Sequence, residues 1–246
     1  MKVAAYLRYY QEIEIRLKAA FAQEDKIKKA ATWIADCLIS EGWIYTSGTG
    51  HSHLLAEEIF YRAGGFARIR PIFHEPLMLH QSASESSSIE RQENLASKLF
   101  KDVAIQKNDV FLIASNSGRN TVSIEMALEA KDRGAKVISI TNLKHSQSVI
   151  SRHSSGQKLF EISDLYLDNF GEIGDACIAL EGQNLNMGPT STVIGAALLQ
   201  SIMVQAAEYL LQNKKQPEIF SSSNSDQGEK HNLDLLRKYH PLVKGL

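Results

Sequence analysis

Five consecutive small or hydrogen-bonding residues, Asn116, Ser117, Gly118, Arg119 and Asn120, follow the strand-like run Val110–Ser115 and precede a helical pattern. Such a junction brings backbone N–H groups and side-chain donors to the positive end of a helix, where an anion is stabilised. Capping the helix would need only one of them, Ser117 or Asn120. Five exceed that need and favour an anion-binding turn over a cap alone. A second junction of this kind runs Ser47, Gly48, Thr49, Gly50, His51, Ser52. Glycines at 48 and 50 let the backbone approach a ligand, and Ser52 stands at a helix start with its hydroxyl toward the same anion. The Gly-x-Gly lacks the third glycine of the dinucleotide fingerprint and the lysine of a P-loop. No acidic residue ends the next strand, so NAD and ATP are disfavoured.

The elements that must position these turns are read from periodicity. Val110 to Ala114 is a continuous apolar run, as expected of a parallel strand covered on both faces. Val122, Met126, Ala127 and Ala130 then recur at helical spacing, Gly134 supplies a left-handed C-cap, and Val137, Ile138 and Ile140 begin another strand. Residues 109–142 therefore form a βαβ unit. Trp43–Thr46 is read as the first strand, Arg68–Phe73 as the second, and a helix carrying Leu54 to Phe60 lies between them.

The stretch His74 to Glu93, with serines at 82, 84, 86, 87 and 88, is read as a polar loop before a helix starting near Ile89. A long loop after a parallel strand belongs on the ligand side, either as a lid or as a flexible connection. Glu90 and Arg91 there either pair at the surface or face a sugar. Asn142–Ser148 is a further polar turn that brings His145 and Ser146 within reach of a ligand. Lys158–Phe160, Leu165–Leu167 and Ala176–Leu180 are read as short strands, with a glycine-punctuated turn at Asp168–Asp175 and another turn from Asn184 to Thr192.

Two amphipathic helices, one from Met1 to about Phe21 and one from Ile27 to Leu38, precede the first strand and cover either their own sheet or a partner subunit. The segment Val193–Leu211 is apolar around nearly its whole circumference, so it is expected to be buried on all sides, at the centre of a domain or a dimer. A loop from Ser221 to Glu229 and a short helix over His231–Leu246 end the chain.

At 246 residues and 43% hydrophobic content the chain can build one large α/β domain. The 27 basic and 28 acidic residues leave a formal net charge of -1, which gives no electrostatic footprint for nucleic acid or an acidic membrane surface. Cys37 and Cys177 read as small core residues rather than a disulfide or metal pair. The N-terminus has no secretory pattern and no apolar run approaches membrane-spanning length, so a soluble cytoplasmic protein is expected.

Ser115, Asn116, Ser117, Gly118 resembles the Ser-x-Ser-Gly turn of the SIS (sugar isomerase) domain, and Ala130, Lys131, Gly134, Ala135 resembles that domain's continuation. Gly48 to Ser52 looks like its first turn. With Gly188–Thr192 and the tail residues Asn224, His231 and Asn232, the whole chain is similar to a family of bacterial single-SIS-domain proteins of unassigned function. The resemblance implies a three-layer α/β/α fold of flavodoxin/Rossmann-like type around a five-stranded parallel sheet. Its parts would be N-terminal helices over 1–41, an α/β core over 42–212 and a C-terminal extension over 213–246. It also implies a homodimer that binds a sugar phosphate at the carboxyl ends of the strands. The phosphate would be held by Ser52, Ser115 and Ser117, with Gly50, Asn116 and Gly118 completing the turns. A threonine often closes the second turn; Asn120 stands there, followed by Thr121, and that contact passes to either neighbour.

Aldose–ketose isomerisation needs a base between adjacent carbons and an acid that opens the ring. The resembling isomerases place a glutamate on or just before the last long helix. Here that helix offers Gly195, Ala196, Ala197 and Gln200 and no acid before Glu208. In the zinc-dependent heptose isomerases of this fold, a histidine and a glutamate occupy the positions of Glu58 and Arg62, so neither metal nor cofactor is expected. Glu57, Glu58 and Glu181 remain as bases, with His51, His53 and His231 as acid or shuttle. Glu57 and Glu58 are otherwise solvated helix residues, at least one of His51 and His53 should line the pocket, and His231 is either a surface residue or a group lent across a dimer interface. Two functions stand: a phosphosugar isomerase, or related lyase or etherase, and a non-catalytic sugar-phosphate sensor that acts through a separate partner protein.

Overall fold

The computed structural model describes residues 3–243 and 245–246. Met1 and Lys2 of the expected first helix and Lys244 of the expected last one lie outside the described residues.

Five parallel strands, β1 (Ile44–Gly48), β2 (Ile69–Pro71), β3 (Val110–Ala114), β4 (Lys136–Thr141) and β5 (Leu165–Asp168), pair in the order β2-β1-β3-β4-β5. Successive side chains of a strand point to opposite faces. Val110, Leu112 and Ala114 accordingly enter one core with α2 (Glu24–Ile39), α3 (His53–Ile59) and α9 (Ser191–Gln212). Phe111 and Ile113 enter the other, with α5 (Leu95–Leu99), α6 (Thr121–Asp132), α8 (Leu159–Ile162) and Tyr239 of α10 (Asp226–Tyr239). The result is the expected three-layer α/β/α arrangement. In this strand order the connections from β1 and β3, which are neighbours, depart in opposite directions and leave a crevice at their carboxyl ends.

Asp109 ties the other ends of the same two strands together. Its buried carboxylate accepts the Trp43 N–H at 2.8 Å and the Gln106 N–H at 2.8 Å. Burial raises its pKa above the ordinary value, against the opposing pull of those two bonds.

Several elements differ from the sequence reading. The helix expected to start near Ile89 ends there instead, as α4 (Ala83–Ile89), and it is anchored by Ser86, whose hydroxyl donates to the Leu77 carbonyl at 2.8 Å. Lys158–Phe160 is not a strand. It leads into α8, where the Glu161 carboxylate accepts the Lys158 N–H at 2.8 Å and closes the first turn. The strand expected over Ala176–Leu180 shortens to β6 (Ala176–Ile178), which leaves the main sheet and pairs antiparallel with β7 (Met187–Pro189) inside the expected turn. The loop expected over Ser221–Glu229 is helical from Asp226, because Ser225 Oγ accepts the Gly228 N–H and caps α10.

Helix α9 also corrects two expectations. At 22 residues it is long and apolar enough, by length and composition, to cross a membrane. It is packed against α1 (Ala5–Phe21), α2 and α3, with Ile194, Leu198, Ile202 and Ala206 fully buried. It is not buried all round: Val193, Val204 and Leu211 are exposed at 44%, 70% and 52% and share one stripe. Cys37 is a core residue whose thiol pKa burial pushes up to about 12, whereas Cys177 is only half-buried and donates to the Gly188 carbonyl at 3.2 Å.

Candidate functional site

The first turn is made by compression. Beyond Gly48 the chain doubles back so closely that Gly50–Ser52 forms a single 3-10 turn, with Gly50 at φ +56°, before α3 begins. The second turn is held from outside. The Asn116 carbonyl accepts the Asn142 N–H at 3.0 Å, its side-chain oxygen accepts from Asn169 Nδ2 at 2.9 Å, and the Gly118 carbonyl accepts the Leu159 N–H at 2.9 Å. Gly118 has φ +57°, a conformation that favours glycine.

Between the turns lies a cleft of about 390 Å³. Gly50, His51 and Ser52 line it from the first turn, and Ser115, Asn116, Ser117 and Asn120 from the second. Two of the expected ligand residues do not line it: Gly118 shapes the turn, and the Thr121 hydroxyl donates to the Arg152 carbonyl at 3.1 Å.

Of the expected acid–base residues only His51 lines the cleft, and it is exposed. His53 is buried edge-on against Phe73, ring centroids 4.4 Å apart, with its Nε2 2.9 Å from Glu57 Oε1. A helix advances about 100° per residue, so His51 and His53 point to nearly opposite sides while Glu57 follows His53. Glu58 accepts from Arg62 at 3.0 Å and from Gln200 of α9 at 3.1 Å, which commits it to the α3–α9 contact. Glu181 is an exposed residue between β6 and β7, outside the cleft. His231 stands on α10 with Nε2 2.9 Å from the Ile219 carbonyl, also outside it. Glu57, Glu58, Glu181, His231 and His53 thus lie outside the cleft, and of the pair His51 and His53, at least one of which was expected to line it, His51 does.

The remaining walls come from distant segments. Glu90, just past α4, lines the cleft with one carboxylate oxygen accepting from Thr49 Oγ1 at 2.8 Å. His145, on α7 (Leu143–Gln147), was in reach by sequence; its Nδ1 accepts the Gly174 N–H at 2.9 Å, which leaves Nε2 as the protonated nitrogen. Burial lowers its pKa below the ordinary value; Asp175 opposes that shift and Arg119 adds to it. Asp175, at φ +72°, accepts from the N–H groups of Thr190 and Ser191 at 3.0 and 2.9 Å through Oδ1 and from the Ser191 hydroxyl at 2.5 Å through Oδ2. Among the described residues no three His, Cys, Asp or Glu side chains are grouped to hold a metal ion.

Residues 8–142 match the family model for the SIS domain, and the chain belongs to that family. Its curated relatives narrow the assignment to the UPF0309 proteins. One from Geobacillus sp. strain WCH70 is 43% identical over 233 residues, 94% of each chain. Another, from Listeria innocua serovar 6a, is 42% identical over 236 residues, 95% of this chain and 96% of that one. Among solved structures, a phosphoheptose isomerase from Francisella tularensis shares the fold at a TM-score of 0.53, with 17% identity over 85% of this chain and 100% of that one.

Proposed function

We propose that the cleft binds a phosphorylated sugar and isomerises it between aldose and ketose forms, in a soluble cytoplasmic homodimer. The observation that carries this reading is the convergence of Ser52, Ser115 and Ser117 on one cleft at the carboxyl ends of two adjacent parallel strands. Three hydroxyls and the N–H groups at the start of α6 match the acceptor oxygens of one phosphate. The sugar then extends toward Glu90 and His145.

Glu90 is the base in this reading. Both oxygens of Asp175 are committed to the start of α9, whereas Glu90 makes one side-chain bond, to Thr49, which orients it. His145 presents a neutral Nε2–H, suited to donating a hydrogen bond to the ring or carbonyl oxygen. His51, exposed at the mouth, is the second imidazole within reach.

A panel of sugar phosphates in a thermal-shift assay tests binding. Stabilisation should appear in the wild type and disappear in Ser117→Ala; no shift with any phosphosugar would sink the reading. Proton exchange at the sugar C1 or C2, followed by NMR with the best ligand, tests chemistry. A sensor is the second reading, favoured by one observation: α9 offers no acid before Glu208, yet it starts in the cleft at Ser191 and carries the exposed Val193, Val204 and Leu211 outward. Binding without exchange would decide for it.

A further inference from the structure

The turn that carries the serines also carries a cation that pairs with no carboxylate among the described residues. Arg119 lies between Gly118 and Asn120, half-buried, and its Nε is enclosed without a hydrogen-bond partner. Among the described residues no carboxylate pairs with it. Arg152 is strapped beside it. The Arg152 N–H donates to the Arg119 carbonyl at 2.9 Å, the Thr121 hydroxyl donates to the Arg152 carbonyl, and Arg152 Nη1 donates to Asn120 Oδ1 at 2.6 Å. That last acceptor is a neutral amide, so it leaves the charge uncompensated.

The two guanidinium groups act on each other and on the cleft. Burial lowers the Arg152 pKa, and the like charges of Arg119 and Arg91 lower it further; Glu90 alone opposes them. The charge of Arg119 also reaches His145 on the cleft wall. Arg152 therefore feels two like charges and a single carboxylate, and that carboxylate is already hydrogen-bonded to Thr49. A partly buried cation without a counter-charge is unfavourable until an anion completes it, and the planar fork of arginine suits carboxylate and phosphate oxygens.

The serine turns already supply donors for one phosphate. Arg119 and Arg152 are not part of the cleft wall between those serines; they meet it through Asn120, which is. We propose that the ligand is a sugar phosphate bearing a second oxyanion, a carboxylate or a further phosphate, and that Arg119 and Arg152 hold that group. This inference rests on the sugar-phosphate reading of the cleft.

Isothermal titration of the full chain tests it, with inorganic phosphate, aldose phosphates of graded length, the matching phosphorylated aldonic acids and the matching bisphosphates. The acids or the bisphosphates should bind the wild type at least about tenfold tighter than the aldose monophosphate, about 1.4 kcal/mol. Whichever arm gains identifies the second group. Arg119→Gln and Arg152→Gln should each erase most of that gain while weakening inorganic phosphate far less than the two-anion ligand. Arg152 is exposed, so its variant keeps the test valid if Arg119→Gln folds poorly. The proposal is overturned if the second anion brings no gain in the wild type. It is also overturned if both variants weaken inorganic phosphate as much as the two-anion ligands, which would give the arginines to the first phosphate. Failure of every phosphosugar to bind would instead remove the sugar-phosphate reading, and this inference with it.

Discussion

A Cβ on Gly48 would stand 2.4 Å from the carbonyl oxygen of Ser52. Non-bonded carbon and oxygen atoms do not approach so closely, so the backbone of the first turn occupies the space that a side chain at 48 would need. The glycine was read as making room for a ligand; it makes room for the chain's own return. Gly48→Ala must therefore displace Ser52. We expect inorganic phosphate or sugar phosphate to bind at least about tenfold more weakly, with a loss of about 1–3 kcal/mol in stability from overpacking. Titration and chemical denaturation of the same variant check the two effects.

Asp109 receives the N–H groups of Trp43 and Gln106 at the far ends of β1 and β3. Asp109→Ala leaves both without this partner, the Trp43 N–H in the core and the Gln106 N–H at an exposed residue that water can reach. At about 1–3 kcal/mol for the stranded buried group, a loss of about 2 kcal/mol is expected, or a Tm lower by roughly 4–8 °C for a chain of this size. Calorimetry measures it. A variant as stable as the wild type would show that this clamp contributes nothing.

The sign of one pH dependence follows from His145. Burial sets its folded pKa below the ordinary 6.5, so the unfolded chain binds the proton more readily. The stability this group contributes is present above 6.5 and is lost as pH falls through the depressed folded value. His145→Gln should flatten the acid side of the stability–pH profile. His74 is shifted the same way by its own burial, so part of the slope persists. Denaturation midpoints across about pH 5 to 8 read the difference.

The parts of the fold that declared themselves in sequence are those whose local pattern is long. The β3–α6–β4 unit shows a strand period, a helix period and a glycine cap in turn, and each survives in the structure. Helix α8 has only four residues, too few to show a helical period, and was read as a strand. The apolar composition of α9 says that it is covered, not by what, so its exposed stripe could be seen only after α1, α2 and α3 were in place.

The site divides the same way. Gly50, Ser52, Ser115, Asn116, Ser117 and Asn120 were legible because each turn is continuous in sequence. Glu90 and Asp175 reach the cleft from separate loops; Glu90 was read only as either pairing at the surface or facing a sugar, and nothing local marks Asp175 as a wall residue. The long polar stretch after β2 was the available signal for Glu90. Of His51 and His53, at least one of which was expected to line the pocket, only His51 does, because two residues along a turning chain reverse the direction of a side chain.

The register of the central strands places Gly48 opposite Ala114, so the two serine-bearing turns spring from paired positions. Their separation at the root is then the spacing of neighbouring strands, about 4.8 Å, which the hydrogen-bond ladder fixes. The sheet works as a gauge block: its jaw opening is set by backbone chemistry common to every parallel sheet, and it cannot be retuned without unzipping β1 from β3. Changes of ligand across related chains must therefore be written in the movable cheeks around that jaw, at Glu90, His145, Asp175 and the arginines beyond Asn120.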